Sequence, residues 1–136
     1  MQYNYTFLVI EDNIIDQIVT SHLLKRALTN SQINVVNNGK EAISWLKTHK
    51  SKMNQPLIIL SDIKMPVMDG FQFLAKFDKL SEELKKETQI FMLSSTLCID
   101  EIKKGKRNPY VEDVLSKPLP IERFLSIICP EQKQHA

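Results

Sequence analysis

The sequence predicts an α/β domain built on a mostly parallel, doubly wound sheet, and three observations predict it. Short, continuously apolar and β-branched runs recur at residues 7–10, 33–36, 57–60 and 90–93, with a weaker fifth at 111–115. Runs this short and this apolar suit strands buried on both faces of a sheet. The stretches between them carry apolar residues every three or four positions and are each long enough for a helix, so the order reads βαβαβαβαβα. With 136 residues, 43% of them hydrophobic, the chain has material for one core of ordinary size. We therefore expect a single domain over 1–136, with its core at about 5–129 and a flexible tail at 130–136.

Taken in order, the first strand, 7–10, runs into Glu11-Asp12. Ile15, Ile18, Val19, Leu23, Ala27 and Leu28 then give the apolar stripe of a first helix. After the second strand, Ala42, Trp45 and Leu46 mark the next helix, with Trp45 expected in the core. The third strand ends in Ser61-Asp62, and Phe73, Leu74 and Phe77 carry the helix that follows. Residues 81–88, rich in Glu and Lys, read as a solvated helix end and loop. The fourth strand ends at Ser94; beyond it Ile99, Ile102, Lys103 and Lys106 form either an ordinary amphipathic helix face or a surface on which a homodimer would pair. The fifth strand ends in Ser116-Lys117 before Pro118, and the last helix is predicted to begin near Pro120 and to run through Phe124, Leu125 and Ile128.

Composition excludes several classes of function. A formal net charge of +2 and a pI near 8.5 leave no dense basic face for direct nucleic-acid binding. No apolar segment approaches the ~20 residues that span a bilayer, and no signal-peptide pattern opens the chain. Cys98 and Cys129 lie 31 residues apart without a CxxC pair, which suits a reducing compartment better than a disulfide framework or a zinc site. The chain reads as soluble and cytoplasmic, without a membrane partner. His22 and His49 fall on predicted helices and His135 in the tail, so each reads as a surface histidine.

Parallel doubly wound sheets bind ligands beyond the carboxyl ends of their strands. That rule gathers Glu11, Asp12, Asp62 and Lys117 on one rim, although they span 106 residues of sequence. Three crowded carboxylates repel one another, and a hard divalent cation such as Mg2+ relieves them through oxygen ligands. A carboxylate can also act as a nucleophile toward phosphorus when the metal and a positive charge neutralise the incoming oxygens. Lys117 supplies such a charge, and the Ser94 hydroxyl could donate to an attached phosphoryl group. Taken singly, each residue has a plainer reading. Glu11-Asp12 suits a solvated loop start, Asp12 or Asn13 a helix cap, Asp69 a cap of the next helix, Lys117 a surface lysine, and Ser94 and Ser95 strand-end hydroxyls bonded to backbone. The four positions together, each at a strand's carboxyl end, are what those readings do not explain.

Five segments carry a resemblance to a known family. They are Phe7-Leu-Val-Ile-Glu-Asp-Asn13, Asn38-Gly-Lys-Glu-Ala42, Leu60-Ser-Asp-Ile-Lys-Met-Pro-Val-Met-Asp-Gly70, Leu93-Ser-Ser95 and Leu115-Ser-Lys-Pro118. In this order and spacing the chain resembles the response-regulator receiver domains of two-component signalling, the CheY-like family. The stretch from Asp62 to Gly70 is the most specific of the five. The resemblance implies a flavodoxin-like fold with strand order 2-1-3-4-5. It further implies that Asp62 is the phosphoacceptor, that Asp12 binds Mg2+ (or Mn2+) directly with Glu11 assisting, and that the backbone carbonyl of Lys64 is a further metal ligand. Ser94 matches the family's switch hydroxyl and Lys117 its phosphate-contacting lysine, whose bond to Pro118 is expected to be cis.

Two departures stand out. The family often carries an aromatic switch residue where this chain has Val114, and a small residue where it has Ser95; Tyr110, four positions before Val114, is not assigned the aromatic's role. The implied function is a phosphoacceptor module and not an enzyme in the usual sense. A histidine kinase or histidine phosphotransfer protein would donate the phosphoryl group, and self-catalysed loss would reset it. The sequence ends soon after residue 129, so the signal is expected to pass to a downstream protein partner, by pairing of two copies, or by phosphorelay. Two other readings compete. A haloacid-dehalogenase-like phosphatase would need a second aspartate two residues after the nucleophile, where this chain has Lys64. A pseudo-receiver would keep the fold as a scaffold without phosphate.

Overall fold

The computed structural model describes residues 5–95 and 98–129. Five parallel strands form one sheet in the order β2-β1-β3-β4-β5. In chain order the elements are β1 (Thr6–Ile10), α1 (Ile14–Ala27), β2 (Gln32–Val36), α2 (Gly39–His49), a 3-10 turn (Lys50–Lys52), β3 (Leu57–Asp62), α3 (Gly70–Asp78), α4 (Glu82–Lys85), β4 (Thr88–Ser94), α5 (Ile99–Arg107), β5 (Val111–Ser116) and α6 (Ile121–Ile128). The fold class and strand order are those the sequence and its resemblance imply. The tail at 130–136, including His135, lies outside the described residues.

The sheet divides the core in two because successive side chains on a strand point to opposite faces. Leu8, Ile10, Leu57, Ile59, Ile90 and Met92 pack with Ala42 and Leu46 of α2 and with Phe73, Leu74 and Phe77 of α3. Their neighbours Phe7, Val9, Ile58, Leu60, Phe91 and Leu93 pack on the other face with Leu24 of α1 and with Phe124 and Ile128 of α6. Strands β1 and β3 are buried along their whole length, as two-sided cover requires. β2 is an edge strand, and its residues are only half-buried or exposed.

Helix starts follow from local chemistry. The Asn13 side chain accepts from the Asp16 amide (3.0 Å), Asn38 from the Glu41 amide (2.9 Å), and Asp69 from the Gln72 amide (2.8 Å). Gln72 reaches back to the Asp69 amide, closing a capping box. Asn13 is therefore the cap of α1, and Asp69 serves as a cap too, so neither competes for the acidic rim. Pro120, the predicted start of the last helix, sits at the cap position of α6, which begins one residue later at Ile121.

Three expectations need correction. The stripe Ile15, Ile18 and Val19 does not face the core; these residues and Ile14 are exposed, and α1 buries Thr20 and Leu24 instead. Gln17 explains the rotation. Its side chain donates to the Glu11 carbonyl (2.6 Å) and to the Asn37 side chain (2.9 Å), turning the face of Gln17, Thr20 and Leu24 toward the sheet. Trp45 is only partly buried, stacked on His49 with ring centroids 4.9 Å apart. Residues 81–88, read as a helix end and loop, hold a separate single helical turn, α4, after α3 has ended at Asp78. His22 and His49 are exposed, as expected.

Candidate functional site

Parallel pairing puts the ends of β1, β3, β4 and β5 on one rim, and the residues that follow them meet there. Glu11 extends the β1–β2 ladder by one bond, its amide donating to the Val36 carbonyl at 3.0 Å. Asp62 closes β3, Ser94 closes β4, and Lys117 follows β5 directly. The Lys117 amide donates to the Ser94 carbonyl at 2.9 Å, which ties the last two of these ends together. The Lys117–Pro118 peptide bond is cis.

Carboxylate oxygens of Glu11, Asp12 and Asp62 all lie within 4.8 Å of one another. Glu11 is 2% exposed and Asp62 8%, whereas Asp12 faces solvent. The Lys117 ammonium donates to Glu11 Oε1 (2.5 Å) and to Asp16 Oδ2 (3.0 Å), and stands 3.3 Å from Asp62 Oδ2. Main-chain donors complete the set: the Ile63 amide reaches Asp62 Oδ1 at 2.8 Å, and the Asn13 amide reaches Glu11 Oε2 at 3.2 Å.

Burial pushes the Glu11 carboxyl up to about 7; its bond to Lys117 opposes the rise and the neighbouring Asp62 charge adds to it. Burial alone would lower the Lys117 ammonium. Its bonds to Glu11 and Asp16 and the charge of Asp62 outweigh that and hold it above the usual lysine value. One ammonium thus faces three carboxylates, and a fourth, Asp12, joins two of them on the side that is open to solvent. Oxygen-only donors at this spacing, with excess negative charge, fit a hard divalent cation such as Mg2+ or Mn2+.

The loop after Asp62 is tightly built. Gly70 donates to the Ile63 carbonyl at 2.8 Å, and a Cβ there would stand 2.6 Å from both the Asp62 carbonyl oxygen and Met92 Cε. Only glycine allows α3 to start so close to the β3 end. Between them Val67 has φ 68°, with the Met68 amide bonded to the Pro66 carbonyl at 2.7 Å, a three-residue γ-turn that is strained for a β-branched side chain.

The other residues singled out in the sequence fall as follows. Ser94 is buried at the β4 end. The Lys64 side chain is largely exposed and 3.8 Å from Glu101 of α5, so the position a dehalogenase-like phosphatase would need for a second carboxylate holds a cation instead. Val114 is buried against α5, whose Gly105 comes so near that a Cβ there would stand 2.7 Å from Val114 Cγ2. Tyr110 lies at the opposite rim, its hydroxyl donating to Asp78 Oδ1 at 2.5 Å and its ring edge-on to Phe77. Ile99 is exposed and Ile102 partly buried, as on an ordinary amphipathic helix. Neither cysteine forms a disulfide, and no helix among the described residues is long and apolar enough to cross a membrane.

Asp16 is the site residue that sequence reading missed. One turn into α1 it resembles any first-turn acid that favours a helix N-terminus. Its only signal is the spacing from the Asn13 cap, which aims it back over the rim. Beside it, Val19, Thr20, Ser95, Lys117 and Pro118 line an open cleft of about 300 Å³.

Comparison with known proteins agrees with this geometry. The family profile described as the response regulator receiver domain matches residues 7–129. A probable transcriptional regulator, ycf29, of Porphyra purpurea is 30% identical over 128 residues, covering 94% of this chain but 56% of its own length, so the chain spans little more than half of that relative. Two-component response regulator 24 of Arabidopsis thaliana is 31% identical over 127 residues, covering 90% of this chain and 81% of its own. Among solved structures, a response regulator receiver protein from Dyadobacter fermentans superposes with a TM-score of 0.79 at 27% identity, over 90% of this chain and 96% of that one.

Proposed function

Because the chain belongs to the response regulator receiver family, we propose that Asp62 accepts a phosphoryl group and that Glu11, Asp12, Lys117 and Ser94 make the transfer and its readout possible. The observation that supports this most is the placing of the Lys117 ammonium 3.3 Å from an Asp62 oxygen, inside a cluster of oxygen donors suited to a cation. In the transfer a carboxylate oxygen of Asp62 forms a bond to phosphorus while the P–N bond of a phosphohistidine breaks; the electron pair leaves with the imidazole, which takes up a proton. Lys117 offsets the negative charge of the phosphoryl oxygens, and the Ile63 amide holds the other Asp62 oxygen in place. A divalent cation held by Glu11, Asp12, Asp62 and the main-chain carbonyl of Lys64 would supply further charge neutralisation. Water attack on the acyl phosphate resets the module, which acts as a signalling switch and not as an enzyme with an external turnover.

The donor is a histidine kinase or histidine phosphotransfer protein. Ile14, Ile15, Ile18 and Val19 leave an apolar face on α1, with Ile14 66% exposed, and the cleft beside Lys117 opens next to Val19. A face of this kind at the rim suits docking of an apolar helical donor. Output passes by way of Ser94 and α5 to a protein partner or onward in a relay, because Val114 cannot swing as an aromatic would. The absence of a disulfide suits a cytoplasmic setting.

The test is intact mass after treatment with acetyl phosphate or phosphoramidate, with Mg2+ or EDTA. Wild type is expected to gain one phosphoryl group only with Mg2+ and Asp62→Asn none; Lys117→Ala should react about 10²- to 10³-fold more slowly, the usual loss for one transition-state charge partner. An unmodified wild type that also binds no Mg2+ would point to the scaffold reading.

A further inference from the structure

We propose that Asp16 is a positioning residue that holds the Lys117 ammonium over the acceptor. This rests on the reading of Asp62 as acceptor and adds a residue to its machinery. Lys117 Nζ makes two hydrogen bonds, one to Glu11 and one to Asp16, and reaches Asp62 as an ion pair. Glu11 and Asp62 belong to the oxygen cluster suited to a cation, whereas Asp16 lies outside it. Oxygens of Glu11 and Asp62 are therefore the ones a cation and a phosphoryl group would claim, and Asp16 is the partner that keeps its hold on the ammonium when they do.

Asp16 is itself well placed to act as an anchor. Its amide is fixed by the Asn13 cap at 3.0 Å, and the next residue, Gln17, pins the first turn of α1 to the Glu11 carbonyl at 2.6 Å. The carboxylate thus approaches Lys117 from α1, while Asp62 approaches from β3. A lysine has three donors on a flexible stem, so an anchor that fixes one of them restricts where the other two point. With its side chain 38% exposed, Asp16 is partly screened by water and its effect should be moderate.

The experiment is a double-mutant cycle on Asp16→Ala and Lys117→Ala, read as the rate of phosphoryl adduct formation from phosphoramidate with saturating Mg2+. Asp16→Ala alone is expected to slow the reaction about three- to five-fold, as for a half-exposed ion pair. It should cause no further slowing in the Lys117→Ala background, and Asp16→Glu should recover part of the loss. Mg2+ affinity by calorimetry is expected to be unchanged in Asp16→Ala. The inference is overturned if Asp16→Ala reacts at the wild-type rate, if it slows both backgrounds alike as a structural residue would, or if Mg2+ affinity falls as for a ligand. A wild type that takes no phosphoryl group sinks the acceptor reading instead. Even then the metal-free protein tests the anchor, because the ¹H–¹⁵N signal of the Lys117 ammonium should broaden by faster exchange in Asp16→Ala, and an unchanged signal would refute it.

Discussion

At Glu11 a carboxyl group almost removed from water faces both Asp62 and the Lys117 ammonium. Its folded-state pKa, about 7, lies above the ordinary 4.5, so the folded protein binds this proton more tightly than the unfolded chain does. The resulting stabilisation is full below about pH 4.5 and is lost as the pH rises through about 7. Glu11→Gln keeps a neutral side chain throughout. In metal-free urea unfolding at several pH values from 5 to 8, the wild type should lose stability relative to Glu11→Gln as pH rises, and parallel curves would contradict the assignment. The sequence made Glu11, Asp12, Asp62 and Lys117 legible because each adjoins the end of an apolar run. It hid Asp16, whose part depends on how a helix turn is aimed over the rim, and aim is set by contacts between segments distant in sequence.

Helices and loops carry a different lesson. The apolar stripe of α1 was visible, but which side of the helix meets the sheet was decided by Gln17, whose side chain bonds the Glu11 carbonyl, with Thr20 buried on the same face. Periodicity gives the existence of a helix and not its rotation when polar contacts compete. The loop from Asp62 to Gly70 shows the same limit: its motif is distinctive, yet the γ-turn strain at Val67 appears only in the backbone. Val67 is 74% exposed with φ 68°, so its side chain contributes little packing while its backbone costs about 1–2 kcal/mol. Val67→Gly, which lacks the Cβ that makes the positive φ of this turn costly, should therefore raise unfolding stability by up to about 1 kcal/mol. A loss of stability on that substitution would show that the Val67 side chain is held by contacts that outweigh the strain.

Across the whole molecule, one sheet topology converts scattered sequence into a single rim. Parallel pairing in the order β2-β1-β3-β4-β5 brings the β1, β3 and β5 ends together, and two apolar layers hold the sheet rigid beneath them. This was legible because central strands buried on both faces leave continuous apolar runs, while the edge strand β5 and the short α4 left weaker traces. The close seat of α5 on Val114 was not legible, since it depends on Gly105 meeting a residue of β5 across the layer. The central claim is that this rim exists to load a phosphoryl group onto one carboxylate. Reduction of the phosphorylated protein with borohydride, which converts an acyl phosphate to a primary alcohol, followed by peptide mass analysis reads the acceptor directly. The reduced side chain is predicted at position 62 alone, and its appearance at Glu11, Asp12 or any other carboxylate, with Asp62 intact, would contradict the claim.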